Sequence, residues 1–428
     1  MHYCNIPQIS NKNMKKQLAI IFALGALLCG CTSPSVNSAK IKEYNAFYPS
    51  KIWLDNNGRH INAHGAGFIF DNGKYYMFGE HKLGGVLGNK SVLGVHCYSS
   101  QDLYNWKDMG IALEMSDNPE SEIFVGAIVE RPKVLFNKKT GKYVMFFHLE
   151  PRKGKTAKDP SLNAIEKESP DYSSSLLGFA VANSVEGPYK FVKAQRLHAN
   201  VLPQNASEEL VDLVKSGKQN SEMTFNGASI KNGTANDIFA RHFKEGQYSR
   251  DFTAFLDDNG KAYIISASLG NSSLIVSELD ESFLNFTGKY TLNFVGQYHE
   301  APALFKTKGK YYMFSSHCTG WAPNAGRVSV ANNIMGPWYE LGNPCRGKGQ
   351  PETKFAPNAD ADTTFRSQST AVIKVENKPD SFIYVGDRWN PNDAIDGRYI
   401  FLPIQWENDT PVFYWQDKWD LSFFDKKN

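Results

Sequence analysis

Glu130, Asp251 and Glu300 each stand at the head of a short apolar run, in "ERPKVLFN", "DFTAFLDD" and "EAPALFKT". Two more polar residues hold the same place in sister runs, His64 in "HGAGFIFD" and Gln368 in the more divergent "QSTAVIKV". His64, Asp251 and Glu300 precede the turn glycines Gly73, Gly260 and Gly309 by nine residues each. Glu130 precedes Gly141 by eleven, because its turn, "NKKTGK", is two residues longer. Isolated strand-entry charges would scatter in register, whereas these coincide. Three carboxylates brought to one place repel, so at least one should keep its proton near neutral pH. One acid that donates and one group that positions water can cleave a glycosidic bond. Groups facing each other across an opening leave room for that water, which suits an inverting arrangement with carboxyls ~6.5–9.5 Å apart.

The elements that must hold these residues are hairpins. "GKYYMF" occurs at 73–78 and again at 309–314, with "GKYVMF" at 141–146 and "GKAYII" at 260–265. Each is a turn glycine followed by an apolar strand, and each follows another such strand. The fifth copy crosses a longer turn into "SFIYVGDRW". Further along each unit come strand-like echoes, "SSQDLYNWKDMG", "ANSVEGPYKFV", "SELDESFLNF" and "ANNIMGPWYEL". Two hairpins per unit make a four-stranded antiparallel sheet, and five units predict an all-β, five-bladed β-propeller. In that fold the first strand of each blade is innermost, so the five entry residues would ring one mouth of the axis. Polar insertions at 151–174 and roughly 197–249 read as loops or short helices over the active face. Within the second, "SEELVDLVKSG" has a helix N-cap and apolar spacing.

Composition bounds the partners. The chain has 428 residues, a formal charge of +3, 41% hydrophobic and 13% aromatic residues, an ordinary globular balance with ample core material. Without a basic run in the body of the chain, nucleic acid is not an expected partner. The N-terminus reads as a targeting signal: Lys15-Lys16, the apolar "LAIIFALGALL", then "LCGC" ending at Cys31. That ending resembles a bacterial lipobox, which implies cleavage after residue 30 and lipidation of the Cys31 thiol. Translation from Met14 instead of Met1 would give the same signal. Residues 31–43 then form a tether and 44–428 the propeller domain. The expectation is an exported, lipid-anchored protein, periplasmic or on the outer membrane or cell surface. A plain signal peptide is the alternative. Of six cysteines, Cys97, Cys318 and Cys345 stay in the domain, too few for a zinc site, with one disulfide permitted.

Other residues have readings both bland and functional. Trp321 and Thr319 in "CTGWAPN", and Trp389 in "GDRWNP", could give a sugar a stacking face or a hydroxyl partner. Glu80, at the exit of the first blade's second strand, could accept a sugar hydroxyl or merely be exposed. His64 reads as structural or substrate-orienting. Arg250 and Asp251 could form a structural pair. Trp338, Trp406, Trp415 and Trp419 read as core.

The segments "AHGAGF", "VERPKVLFN", "SRDFTAFLDDNGKAY", "HEAPALFK", "CTGW", "SQST" and "DRWNP" together resemble glycoside hydrolase family 43, over nearly all of 44–424. They are most similar to its exo-β-1,3-galactanase branch. The resemblance implies that Glu300 is the general acid and that Asp251 tunes it and orients the sugar. The family's usual base, an Asp opening the first blade, is replaced here by His64. The galactanase branch lacks that Asp too, which implies that Gln368 holds the attacking water, with Glu130 assisting or binding substrate. A neutral amide is a very poor base unless it works as an imidic acid, so Gln368 and Glu130 both stay open for that role. The implied activity is exo-acting, inverting release of galactose from β-1,3-galactan, with no cofactor, although an axial metal ion is left open. An α-L-arabinofuranosidase or β-xylosidase on the same scaffold, or a glycan-binding lipoprotein without catalysis, are the alternatives.

Overall fold

The computed structural model describes residues 43–169, 171–218, 223–226, 229–350 and 359–425. The expected signal segment 1–30, Cys31 and residues 32–42 of the tether lie outside the described residues.

The first unit is β1 (His64–Asp71), β2 (Lys74–Glu80), β3 (Gly94–Ser100) and β4 (Lys107–Glu114). The second is β5 (Ile128–Asn137), β6 (Lys142–Glu150), β7 (Leu176–Ala182) and β8 (Lys190–Gln195). After a two-stranded ribbon of β9 (Thr224–Asn226) and β10 (Ser229–Lys231), the third unit is β11 (Phe252–Leu256), β12 (Ala262–Ser268), β13 (Ser273–Leu279) and β14 (Phe286–Asn293). The fourth is β15 (Glu300–Thr307), β16 (Lys310–Ser316), β17 (Arg327–Ala331) and β18 (Tyr339–Gly342). Each unit is a four-stranded antiparallel sheet in sequence order.

The remainder departs from the expected pattern. β19 (Cys345–Arg346) is followed by β20 (Gln368–Lys374), β21 (Phe382–Arg388), β22 (Arg398–Pro403), β23 (Gln405–Glu407) and β24 (Thr410–Tyr414). These make two three-stranded sheets, β20-β21-β22 and β19-β24-β23. The expectation of five four-stranded blades is therefore corrected: the propeller has six sheets of three or more strands among the described residues, and only four of them are four-stranded. The cause is a change of partner. After Pro403, β24 pairs in parallel with β19 (Cys345 opposite Phe413) instead of extending the sheet of β22.

Second strands are apolar at nearly every position because a propeller sheet is covered on both faces. After an exposed first lysine, every residue of β2 and β16 is buried. The turn glycines Gly73, Gly141, Gly260 and Gly309 all take φ between +67° and +81°, a region costly for other residues. Core clusters fill the spaces between neighbouring sheets, with Phe78, Met145 and Phe147 between the first two and Phe239, Ile264 and Tyr290 beside the third. Fully burying one such side chain is worth roughly 1.5–3 kcal/mol. The first and last parts of the described domain meet where Phe47 and Trp419 exchange backbone hydrogen bonds and stack at 4.4 Å. Trp338 and Trp419 are buried as expected, whereas Trp406 and Trp415 are half-buried.

The first strands β1, β5, β11, β15 and β20 touch in that cyclic order, with β20 closing on β1. Their entries share a local device. Register slips occur just after His64, Glu130 and Glu300, and the next residues, Gly65, Arg131 and Ala301, have φ of +61°, +52° and +53°. Such bulges re-aim side chains at the edge of a sheet, here at a cost in strain for Arg131 and Ala301. Both insertions carry short helices: α1 (Leu162–Lys167), α2 (Glu208–Ser216) and α3 (Ala235–Arg241). The N-cap of α2 is Ser207, whose side chain accepts from Leu210 N–H, and Gly217 ends it in the left-handed conformation. Cys97, Cys318 and Cys345 are free thiols, so the permitted disulfide does not form. No helix among the described residues is long and apolar enough to cross a membrane.

Between β1 and β5 the buried Lys133 Nζ lies 2.9 Å from Gly65 O, 3.2 Å from Ala66 O, 3.3 Å from Arg131 O and 3.5 Å from Pro132 O. This side chain thus donates to carbonyls that the bulges release from the ladder, while burial and the Arg131 charge bring its pKa down to about 7. Lys133→Met should remove this donor, leaving Ala66 O only the Thr370 hydroxyl at 3.0 Å, and cost about 3 kcal/mol, read as a lower urea midpoint. An unchanged midpoint would contradict this role.

Candidate active site

Glu130, Asp251, Glu300 and Gln368 converge on one cavity of about 660 Å³ at the shared end of the inner strands. His64 does not line it. Its ring is fully buried, with Nδ1 3.2 Å from Asp387 Oδ1, and it stacks on Tyr399. Asp387 also accepts the Gly65 N–H at 2.8 Å, so this carboxylate pins β1 to β21. Substrate contact by His64 is therefore corrected to a structural role. Thr319 likewise stands outside the cavity, donating to Ala322 O and accepting from Asn324 within its own loop. Glu80, Trp321 and Trp389 do line it. Trp321 is 52% exposed and meets Trp389 edge-on at 6.1 Å, an open aromatic face at the rim.

One cation organises the floor. Arg131 sends Nε to Asp251 Oδ1 at 2.8 Å, one terminal nitrogen to Ser369 O at 3.1 Å and the other to Gln368 Oε1 at 2.5 Å. Its backbone N–H donates to Glu80 Oε1 at 2.9 Å. The Arg–Asp pair expected within "SRD" is corrected: Asp251 pairs with Arg131. Arg250 instead donates to Ser175 Oγ and Tyr172 O.

Around Arg131 the carboxylates take different states. Burial, and then the Asp251 charge, push Glu300 up to about 7. Asn271 Nδ2, at 2.6 Å, and the Cys318 thiol, at 3.1 Å, both donate to its Oε1, so the acid's proton belongs on Oε2. Glu130 goes the other way. Burial opposes its ionisation, but His148 at 3.1 Å and the Tyr172 hydroxyl at 2.8 Å hold it down to about 2. Glu80 is pushed up by burial and tempered by Lys82, whose Nζ lies 2.5 Å away.

Gln368 has no freedom in how its amide points. Its Oε1 accepts from both Arg131 and Trp389 Nε1, and its Nε2 donates to Ser316 Oγ at 3.1 Å. A flipped amide would face two donors with its own N–H groups. An imidic acid would need an O–H directed at an acceptor, where two donors stand. The remaining Nε2–H is what Gln368 can offer a water.

Arg131, His148, Tyr172, Asn271 and Cys318 were not singled out in the sequence as working groups. Glu80, His148 and Ser316 stand seven residues after their turn glycines, and in the ladder they face His64, Glu130 and Glu300. Counting forward from Gly73, Gly141 and Gly309 therefore finds a second polar row behind the first, whereas Gly260 leads to Ala267. Tyr172 carries no such signal, because an insertion delivers it. Arg131→Lys keeps a charge but cannot reach Asp251, Gln368 and Ser369 together. We expect kcat to fall at least tenfold and Tm to drop; wild-type kcat would contradict the arrangement.

The family model for glycosyl hydrolases family 43 matches residues 234–411. No curated protein matches significantly. Among solved structures, a family-43 β-1,3-galactosidase with galactodeoxynojirimycin is 38% identical, covering 88% of this chain and 100% of that one, with a TM-score of 0.75. The exo-β-1,3-galactanase of Phanerochaete chrysosporium, solved with β-1,3-galactotriose, is 27% identical over 88% of this chain and 68% of that one (TM-score 0.64). That of Clostridium thermocellum is 28% identical over 87% and 66% (TM-score 0.64). With a protonated acid poised beside an anion in one cavity, and a relative matched along its whole length, this chain belongs to glycosyl hydrolases family 43.

Proposed function

We propose that this glycosidase is an exo-acting, inverting enzyme that releases galactose from the non-reducing end of β-1,3-galactan. The carrying observation is the pairing of Glu300, protonated near neutral pH, with Glu130, ionised, in a single cavity. The substrate reading is supported by relatives described as β-1,3-galactosidase and exo-β-1,3-galactanase.

Glu300 protonates the glycosidic oxygen from Oε2 as the bond to the anomeric carbon breaks. Asp251 and Glu130 supply negative charge for the developing oxocarbenium ion. Water enters from the opposite face, oriented by the free N–H of Gln368. Once bonded to a cationic carbon the water is strongly acidic, so even a carboxylate as weakly basic as Glu130 can take its proton. This answers the vacant first-blade base: late proton loss requires no strong one. The open aromatic face of Trp321 is placed to carry the leaving part of the chain.

We also propose that the chain is exported and anchored through lipid on Cys31, on the strength of "LCGC" after an apolar run.

Product analysis on β-1,3-galactan, with arabinan and xylan in parallel, tests the substrate. Galactose should be released first as the α-anomer; an initial β-anomer would overturn inversion, and pentose release would overturn the substrate. Glu300→Gln should cut turnover at least a hundredfold, and wild-type kcat/KM should fall as pH rises through about 7. The folded pKa of Glu300 lies above its ordinary 4.5, so the unfolded chain loses this proton first and stability declines between about 4.5 and about 7. Glu300→Gln should thus raise Tm at pH 8 while removing activity. For the anchor, Cys31→Ser should move the protein from the membrane to the soluble fraction; unchanged membrane retention would contradict it.

A further inference from the structure

His148 takes no direct part in the steps above, yet it is buried at the back of the cavity with both ring nitrogens facing carboxylates. Nδ1 is 3.1 Å from Glu130 Oε2, and Nε2 is 3.0 Å from Glu150 Oε1. Glu150 is itself held: the backbone N–H of Ser175 donates to Oε1 and that of Ser174 to Oε2, while the Ser175 hydroxyl lies 3.1 Å from Oε1 and 2.9 Å from Tyr172 O. The groups around Glu150 point donors at its oxygens, which therefore serve as acceptors. Glu130 accepts from Tyr172 on its other oxygen, and these partners hold it down to about 2. A neutral imidazole has one N–H and would place a lone pair against one of these carboxylates; only the imidazolium donates to both.

The facing groups agree. Glu130 comes from β5, Glu150 from the same strand as His148, and Tyr172 from the first insertion with its ring 5.8 Å away. Glu80 and Lys82 stand beyond Glu130, and Arg250 lies over the Tyr172 ring. Burial opposes the imidazolium, but the two carboxylates raise the His148 pKa to about 9.

We propose that His148 is a positioning residue for this reaction: a permanent imidazolium, clamped between Glu150 and Glu130, that keeps Glu130 ionised and turned toward the cavity. The inference rests on the reading of Glu130 as the group that receives the water's proton. Without the cation, Glu130 beside Glu80 in a buried site would hold its own proton at mildly acidic pH.

Ring-nitrogen NMR on the wild-type protein, assigned with His148→Gln, tests the charge without substrate. Both nitrogens should be protonated at about pH 7.5, with loss only near 9; a neutral ring at about pH 7.5 would overturn the proposal. Kinetics test the consequence. Wild-type kcat/KM should be flat between about pH 4 and 6, whereas in His148→Gln and Glu150→Gln it should fall toward acid, up to about tenfold per unit. A folded His148→Gln with the wild-type profile would also overturn it. Should no glycan be turned over at all, the substrate reading fails while the ring-nitrogen state still decides the charge.

Discussion

A single guanidinium, buried among the inner strands, holds the site together. Arg131 sits on β5 and reaches Asp251 before β11, Gln368 and Ser369 on β20, and through its backbone Glu80 on β2. Breaking such a buried pair costs about 3–5 kcal/mol, so the arrangement tolerates little displacement. It also explains why a strained conformation persists at Arg131. A bulge with φ of +52° turns the side chain from the ladder into the floor of the cavity.

From that fixed charge follows the division of labour. Asp251 pairs with Arg131, and its charge helps keep the proton on Glu300. Glu130, the residue before Arg131 on β5, is answered instead by His148 and Tyr172. Carboxyl groups of nearly equal intrinsic acidity thus reach opposite states within one cavity. The amide of Gln368 is fixed by the same guanidinium, which removes it as a base and leaves it as a guide for water. Lys133 donates to the carbonyls beside this centre.

The repeat carried much of this on its face. A nine-residue spacing to the turn glycine picked out Asp251 and Glu300, and an allowance for a longer turn added Glu130. The same reasoning misplaced His64, because register fixes where a strand begins but not which side its side chain turns to. The bulge after His64 is shared with Glu130 and Glu300; what differs is that Asp387 from a distant strand captures the ring. Counting sheets failed at the end of the chain for a related reason. Hairpin spacing describes neighbours in sequence, whereas β24 found its partner in β19, some 70 residues earlier.

What the sequence determined by itself was local and periodic: apolar second strands, turn glycines with positive φ, helix caps such as Ser207, and polar residues repeated at the strand entries. These depend on neighbours a few residues away. Only the tertiary structure decided which carboxylate holds a proton, which pairs with Arg131, and that His148 stands between two carboxylates. Those are sums of burial and charge over groups up to 238 residues apart, as with Arg131 and Ser369, and no spacing along the chain encodes them.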